Sequence, residues 1–289
     1  MYTPKPKKRV AIVVPTHKIN FSADEQISLN HLNLYLNKYD KFLVLPEKLK
    51  NKKFKLKGFK SNFYLDNSNF VSWASYCEMM LKEEFYQQFS NYEYILIYQV
   101  DVIVFSNQLE YWCKKSYDNI GAPFFRPINF GPPFFEPIIG FLSRKKDSPL
   151  CGCGGFCLRK VESCIKMIRL VNNQATRKSK NLRLRQLWFL IAVLTGKSHD
   201  KWLKAPADCY PFAEDGFWSF EAPKYNSKFR LGSFQDSLKF SFERFPRHCF
   251  NLNKNKLPFG AHAWAKHDKA FWEPYVVKLN KKSEKKIVG

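Results

Sequence analysis

A few side chains with acid, base or cation-binding chemistry stand among apolar or small residues. Asp101 is the one carboxylate in the apolar run Tyr94–Phe105, Glu214 and Asp215 are adjacent in an EDGFW segment, and His262 lies in PFGAHAW. Burying an unpaired carboxylate costs several kcal/mol, so we expect Asp101 where a strand leaves the core or meets a cation. Structural roles stay open: Asp101 as a turn cap or arginine partner, the acidic pair as helix caps, and His262 as an ordinary turn histidine.

The hydrophobic pattern predicts an α/β scaffold for these residues. Arg9–Val14 and the run Tyr94–Phe105 are typical of strands buried on both faces of a parallel or mixed sheet. A polar loop and a helix starting near Ser22 follow the first strand, which is the order of an α/β unit. Further strands are predicted at 41–46, 62–65, 117–123 and 153–159, and helices at 73–81, 107–115, 161–171 and 184–194. We therefore expect one α/β domain with a mixed, mostly parallel sheet flanked by helices.

Apolar residues mark two of these helices, and those of the second are predicted to be core. The first has a broad apolar face formed by Ile27, Leu29, Leu32, Leu34 and Leu36. The second, capped by Asn67 or Ser68, places Trp73, Tyr76, Cys77, Met80 and Leu81 at helical spacing. Segment 124–150 is rich in Phe, Pro and Gly and has little periodicity, which is typical of a functional or mobile loop.

The composition is strongly basic. The 289 residues include 48 Lys and Arg against 25 Asp and Glu, a formal charge of +23, which attracts nucleic acid, anionic lipid or phosphorylated substrates. The Lys-rich stretch 48–60 is either a solvated loop or a patch facing such a partner. Eight cysteines lack zinc-site spacing and are interpreted as buried, reduced thiols.

No 18-residue apolar run occurs, so a cytoplasmic protein is expected. The expected organisation is one domain at 9–277 with basic ends at 1–8 and 278–289.

Six motifs together resemble GT-A-type glycosyltransferases. They are similar to a bacterial and fungal glycosyltransferase-like family long labelled as a domain of unknown function. The motifs are VAIVVPTHK (10–18), ILIYQVDVIVF (95–105), YDNIGAP (117–123), GCGGFCLR (152–159), EDGFW (214–218) and PFGAHAW (258–264). They span most of residues 9–272. Each motif alone is a weak sign of the family, but the six in this order are fairly specific for it.

The resemblance implies a divalent cation at the end of the central strand. GT-A enzymes place an Asp-x-Asp motif there, and it holds a cation that bridges the donor diphosphate. Gln99 stands where the first Asp would be, Asp101 is the retained second carboxylate, and His262 resembles the C-terminal histidine that completes the metal shell. Mn²⁺ or Mg²⁺ is the implied ion. A cation held by carboxylate oxygen and imidazole nitrogen would stabilise the charge of a departing diphosphate as a Lewis acid.

The resemblance also implies roles in donor binding and catalysis. The base and ribose would be lined by the end of the first strand, Val14, Pro15, Thr16 and His17, with Gln99 and Asp101 on the diphosphate. Gly154 and Gly155 would let sugar and acceptor approach the backbone. Asp215 would be the base of an inverting transfer, supported by Glu214; in an extended or turn segment the two point in different directions, so only one can face the acceptor.

The implied function is transfer of a sugar from a nucleotide-sugar, in the first place a UDP-sugar, to a hydroxyl of a bacterial surface glycan such as lipopolysaccharide or capsule. A glycan or glycolipid acceptor and an anionic membrane surface would be partners, placing the enzyme at the inner face of the cytoplasmic membrane. Two other classes of protein share some of these features. A nucleic-acid-binding protein is disfavoured because the basic residues are scattered, and no nucleic-acid partner is expected. A sugar-phosphate nucleotidyltransferase should carry a Gly-rich loop where Pro15–Lys18 stands.

Overall fold

The computed structural model describes residues 7–52, 56–125, 152, 154–175, 206–210 and 213–277. Predictions for most of segment 124–150, the helix at 184–194, Cys151, Cys153 and the tail 278–289 lie outside these residues.

Nine strands form two sheets in the described part of the chain. They are β1 Lys8–Pro15, β2 Asp40–Pro46, β3 Ser61–Leu65, β4 Tyr92–Tyr98, β5 Ile103–Val104, β6 Asn119–Gly121, β7 Phe156–Lys160, β8 Ser241–Phe242 and β9 Gly260–Ala261. The six-stranded sheet has the order β3-β2-β1-β4-β7-β6, and β7 alone runs against the other strands of that sheet. The three-stranded sheet has the order β5-β9-β8. The predicted mixed, mostly parallel sheet is confirmed.

Helices flank the sheets. They are α1 Ala23–Tyr35, α2 Trp73–Met79, α3 Glu83–Gln87, α4 Leu109–Lys114, α5 Val161–Gln174, α6 from Glu214–Gly216 through a π-helical turn Phe217–Glu221 to Ala222–Tyr225, α7 Phe234–Phe240, α8 Pro246–Leu252 and α9 Lys269–Trp272. Short 3₁₀ turns occupy Glu47–Leu49, Asn67–Phe70, Ala207–Cys209 and Glu273–Tyr275. None of the helices described combines the length and apolar character needed to span a bilayer.

Strand β1 shows why the sheet is buried on both faces. Ala11 and Val13 point into one apolar layer, whereas Val10, Ile12 and Val14 point into the other, as the period of two requires. Full burial of each valine or isoleucine among them contributes about 1.5–3 kcal/mol. The predicted start of α1 is also confirmed: Ser22 accepts a hydrogen bond from the Glu25 amide, and the Glu25 carboxylate accepts one from Ser22.

The prediction of one unbroken strand through Tyr94–Phe105 is wrong beyond Tyr98. The chain turns at Gln99, whose carbonyl accepts a hydrogen bond from the Val102 amide at 3.0 Å, and then joins the second sheet as β5. The Tyr98 hydroxyl, 2.8 Å from the Val102 carbonyl oxygen, fixes this turn. Asp101 therefore lies where the chain leaves the core, as predicted, with its side chain 45% exposed.

Leu34, from the predicted apolar face of α1, and Trp73, predicted to be core, are both exposed. Leu34 is 47% exposed because it lies on the opposite side of α1 from the buried Leu32. Trp73 is 57% exposed, since as the first residue of α2 it lies beyond the edge of the core that buries Cys77 and Met80.

Candidate active site

The predicted site residues come from several elements that end near one edge of the large sheet. Gln99 and Asp101 follow β4, Gly154 and Gly155 precede β7, and β4 and β7 are hydrogen-bonded neighbours. In the small sheet, β9 leads directly into His262. Ligand sites of open α/β sheets lie at the carboxyl ends of parallel strands. The turn with Gln99 and Asp101 lies at such an end, because it directly follows β4.

Gln99, Asp101 and His262 meet at one imidazole nitrogen. His262 Nε2 lies 3.1 Å from Gln99 Oε1 and 3.6 Å from Asp101 Oδ1. The Gln99 side-chain amide is oriented by a second contact, because its Nε2 donates to the Tyr76 hydroxyl at 3.1 Å. The structure thus brings the three residues together, and α2 supplies Tyr76 to hold the first of them.

Glu243 is a member of this group that the sequence did not single out. It follows β8, and its Oε1 lies 3.3 Å from His262 Nδ1, on the other side of the ring from Asp101. Burial disfavours the charged imidazole, but Glu243 and Asp101 outweigh it and raise the pKa of His262 to about 9. In the absence of a competing cation, His262 is therefore protonated at neutral pH.

Gly155 makes room for the His262 ring. A β-carbon at this position would lie 2.1 Å from His262 Nε2, far inside van der Waals contact. The carbonyl of Gly155 also accepts a hydrogen bond from the Gln99 amide at 3.1 Å. The glycine therefore allows close packing of a protein side chain; the predicted approach of a sugar to this backbone stays a prediction.

Asp215 is held at the start of α6, so the predicted extended or turn segment is wrong. The helix turns the two carboxylates apart: Asp215 Oδ1 accepts from the Gly216 amide at 2.8 Å and Oδ2 from the Gly154 amide at 3.3 Å. Burial, followed by the negative charges of Glu214 and Glu243, raises the pKa of Asp215 to about 7. A carboxylate with a pKa near neutrality is suited to general base catalysis.

Glu214 faces inward instead. It pairs with Arg159, which is fully buried and also donates to the Tyr86 hydroxyl at 3.0 Å. The Arg159 guanidinium lies 5.4 Å from the centre of the Trp218 ring, as in a cation–π contact. Burial raises the pKa of Glu214, and Arg159 opposes that rise. Glu214 is therefore tied into a structural ion pair, whereas Asp215 is held by the backbone amides of Gly154 and Gly216.

The end of β1 gives a mixed outcome. Val14, Pro15 and Thr16 are buried, and His17 is exposed. The Thr16 amide donates to the Val44 carbonyl at 2.9 Å, and the Thr16 hydroxyl accepts from the Lys18 amide at 3.3 Å. These contacts shape the loop after β1, and donor binding by these four residues stays a prediction.

The donor atoms around His262 fit a divalent cation. Asp101 and Gln99 would offer oxygen atoms and His262 a nitrogen, and the two oxygen atoms lie 3.6 and 3.1 Å from His262 Nε2. Glu243 at Nδ1 has the place of the carboxylate that orients a metal-bound histidine. Among the described residues, no group of three or more His, Cys, Asp or Glu is arranged to hold a metal. A cation site with three protein ligands therefore requires the Gln99 amide oxygen in addition to Asp101 and His262.

A family model described as "Protein of unknown function (DUF5672)" matches residues 60–262, from the edge of β3 to His262. The chain belongs to this DUF5672 family. The predicted membership of a family of unknown function is confirmed, and the match contains Gln99, Asp101, Asp215 and Glu243. No curated protein matches this DUF5672 chain.

Several solved structures are similar to this DUF5672 protein. The galactosyltransferase LgtC, in complex with donor and acceptor sugar analogs, is 11% identical with a TM-score of 0.46, over 96% of this chain and 100% of LgtC. Core-mannan synthase A from Aspergillus fumigatus, in its Mn/GDP form, is 12% identical with a TM-score of 0.40, over 82% and 75%. The mannosyltransferase Ktr4p from S. cerevisiae is 12% identical with a TM-score of 0.37, over 57% of this chain and 60% of Ktr4p, less than two thirds of its length.

Proposed function

We propose that this protein transfers a sugar from a nucleotide-sugar donor to a hydroxyl group, with inversion at the anomeric carbon. The observation that carries the proposal is Asp215, a carboxylate with a pKa of about 7 positioned by the amides of Gly154 and Gly216. The charge of Glu243 acts on both Asp215 and His262, so the base and the His262 group form one electrostatic unit.

In this reaction Asp215 accepts the proton of the acceptor hydroxyl. The hydroxyl oxygen forms a bond to the anomeric carbon while the bond between that carbon and the departing diphosphate oxygen breaks. A base with a pKa near the working pH is deprotonated in a large share of molecules and still takes a proton readily. Glu214, held by Arg159, supports the role by adding negative charge beside Asp215.

Asp101, Gln99 and His262 would hold a divalent cation, Mn²⁺ or Mg²⁺. Such an ion would act as a Lewis acid toward the negative charge of a nucleoside diphosphate. To hold the ion, His262 would be deprotonated at Nε2, and Glu243 would keep the ring oriented by accepting the Nδ1–H.

We infer further that the donor is a UDP-sugar and the acceptor a bacterial surface glycan or glycolipid, at the inner face of the cytoplasmic membrane. The charge of +23 supports attraction to anionic lipid, and Lys48 and Lys50 are exposed beside the segment that continues to Lys60. Sedimentation with liposomes tests this part. Binding should require anionic lipid and weaken with salt, and equal binding to neutral liposomes would contradict it.

Thermal unfolding with UDP, UDP-sugars and GDP-mannose, with and without MnCl₂, tests the donor site. A bound ligand raises the melting temperature by mass action. We expect a nucleotide-dependent rise that Mn²⁺ increases, and loss of the Mn²⁺ increment in Asp101→Asn, which keeps the shape but removes the charge. The same increment in both proteins would contradict the cation assignment, and no rise with any nucleotide would contradict the donor class.

A further inference from the structure

A cavity lies away from the candidate active site, at the opposite end of the small sheet. Lys239 and Leu257 line it and precede β8 and β9, whereas Glu243 and His262 follow those strands. The extended path from Leu257 to His262 is at most about 17 Å long. With a volume of about 750 Å³, the cavity is within the size range of ligand sites, about 300–1,000 Å³.

The lining of this cavity is basic. It contains Lys239, Lys254 and Lys256 and no carboxylate. Lys239 lies 4.0 Å from Asp236, but Lys115 is closer to that carboxylate, at 3.3 Å. Neither Lys254 nor Lys256 forms an ion pair with another residue that the structure describes. The cavity therefore presents positive charge that is largely uncompensated by its own walls.

The loop that carries two of these lysines is rigidly built and strained. Lys254 and Asn255 are both left-handed, with φ of 57° and 55°. The loop is closed by the Asn253 side-chain amide, which donates to the Lys256 carbonyl at 2.8 Å, and by the Asn255 amide, which donates to Phe250 at 2.9 Å. A left-handed lysine costs about 1–2 kcal/mol, and such strain concentrates at ligand sites.

The remaining lining suits a saccharide. Gln108 and Gln235 carry amides, which both donate and accept as sugar hydroxyls require. Tyr111 is 47% exposed and offers an aromatic surface to the C–H face of a sugar ring. Sequence-tolerant binding of single-stranded nucleic acid uses several stacking aromatics along a groove, whereas this cavity exposes Tyr111 alone to this extent.

We propose that this cavity is a non-catalytic binding site for an acidic glycan segment. Lysine ammonium groups bind the carboxylate or sulfate groups of the glycan, amides bind its hydroxyls, and Tyr111 packs against a ring. The site adds to the proposed transfer activity and does not depend on it, because it shares no lining residue with the Asp101–His262 group.

Binding to the full-length protein tests the proposal without any transfer assay. The probes are an oligogalacturonate hexamer, a heparin hexasaccharide, neutral maltohexaose and a six-nucleotide oligothymidylate, titrated by calorimetry at two salt concentrations. Oligogalacturonate carries carboxylates alone, whereas heparin carries sulfate groups together with carboxylates, so tighter binding of heparin would indicate that sulfate contributes. The variant Lys254→Asn with Lys256→Gln removes two charges from the cavity, and Lys166→Gln with Lys228→Gln removes two exposed charges elsewhere.

We expect at least one acidic saccharide to bind, and the cavity variant to weaken it on the order of tenfold, as for lost hydrogen bonds to charged groups. The control pair should change affinity less than about twofold, because exposed distant charges are screened. The cavity variant should not melt earlier than wild type, since asparagine accepts a left-handed conformation. Should it fail to fold, Tyr111→Ala and Lys239→Gln carry the test.

Equal weakening by both double variants would overturn the proposal in favour of general attraction to the basic surface. Tighter binding of oligothymidylate, lost in the cavity variant, would assign the cavity to nucleic acid. If maltohexaose bound as tightly as the acidic saccharides, the lysines would have no role in binding, which would contradict the proposal. The absence of binding of either acidic saccharide at low salt would also contradict it.

Discussion

Glu243 Oε1 lies 3.3 Å from His262 Nδ1, while the opposite ring nitrogen faces Gln99 and Asp101. The carboxylate thus fixes the ring so that Nε2 is presented to the end of β4. Glu243 stands among ordinary loop residues in FERFP, and neither periodicity nor composition marks it.

Glu243→Gln should lower kcat/KM about 10- to 100-fold, because partners that orient metal-binding histidines have effects of this size. Mn²⁺ affinity, measured by calorimetry, should fall with it. Glu273→Gln, a change at an exposed residue of a 3₁₀ turn, is the matched control and should leave both unchanged. Wild-type activity in Glu243→Gln would show that the contact with His262 has no functional role.

Gly155→Ala should destabilise the fold by about 1–3 kcal/mol, because the added methyl group meets the His262 ring at 2.1 Å. Urea unfolding measures the effect. The matched test is the same change in a His262→Ala background, where the obstructing ring is gone and the cost should largely disappear. An equal cost in both backgrounds would place the strain elsewhere.

The activity should rise with pH through about 7, since Asp215 must be deprotonated to act as the base. The contribution of Asp215 to the free energy of unfolding should instead fall as pH rises. The folded state raises the pKa of Asp215 above its unfolded value, so the folded protein binds the extra proton and this contribution is lost as pH rises from about 4 to about 7. Asp215→Asn should therefore be more stable than wild type at pH 8, with a smaller difference at pH 4. A flat pH–rate profile between pH 6 and pH 8 would argue against Asp215.

Much of the scaffold could be predicted from local pattern. The apolar β1 and the Ser22–Glu25 capping box are short-range signals, and both appear as expected. The break after Tyr98 could not be predicted, because Ile103 and Val104 are as apolar as β4 itself and only their tertiary partners place them in another sheet.

The site was predicted in its parts but not in its connections. Asp101, Gln99 and His262 were recognised by motif, and the structure joins them. Arg159 and Glu214 are 55 positions apart, and a buried ion pair over that separation leaves no periodic signal in one sequence. The same holds for Glu243, whose role depends on β8 and β9 lying side by side.

Single-turnover transfer by Asp215→Asn, compared with Glu214→Gln and wild type, tests the central claim most directly. Once a donor has been identified by thermal shift, Asp215→Asn should lose about 10²- to 10⁴-fold in the chemical step while donor affinity stays near wild type. Glu214→Gln should cost less in that step, because Glu214 touches Arg159 rather than facing outward. Substantial transfer by Asp215→Asn, or a larger loss in Glu214→Gln at equal fold stability, would contradict the assignment of Asp215 as the base.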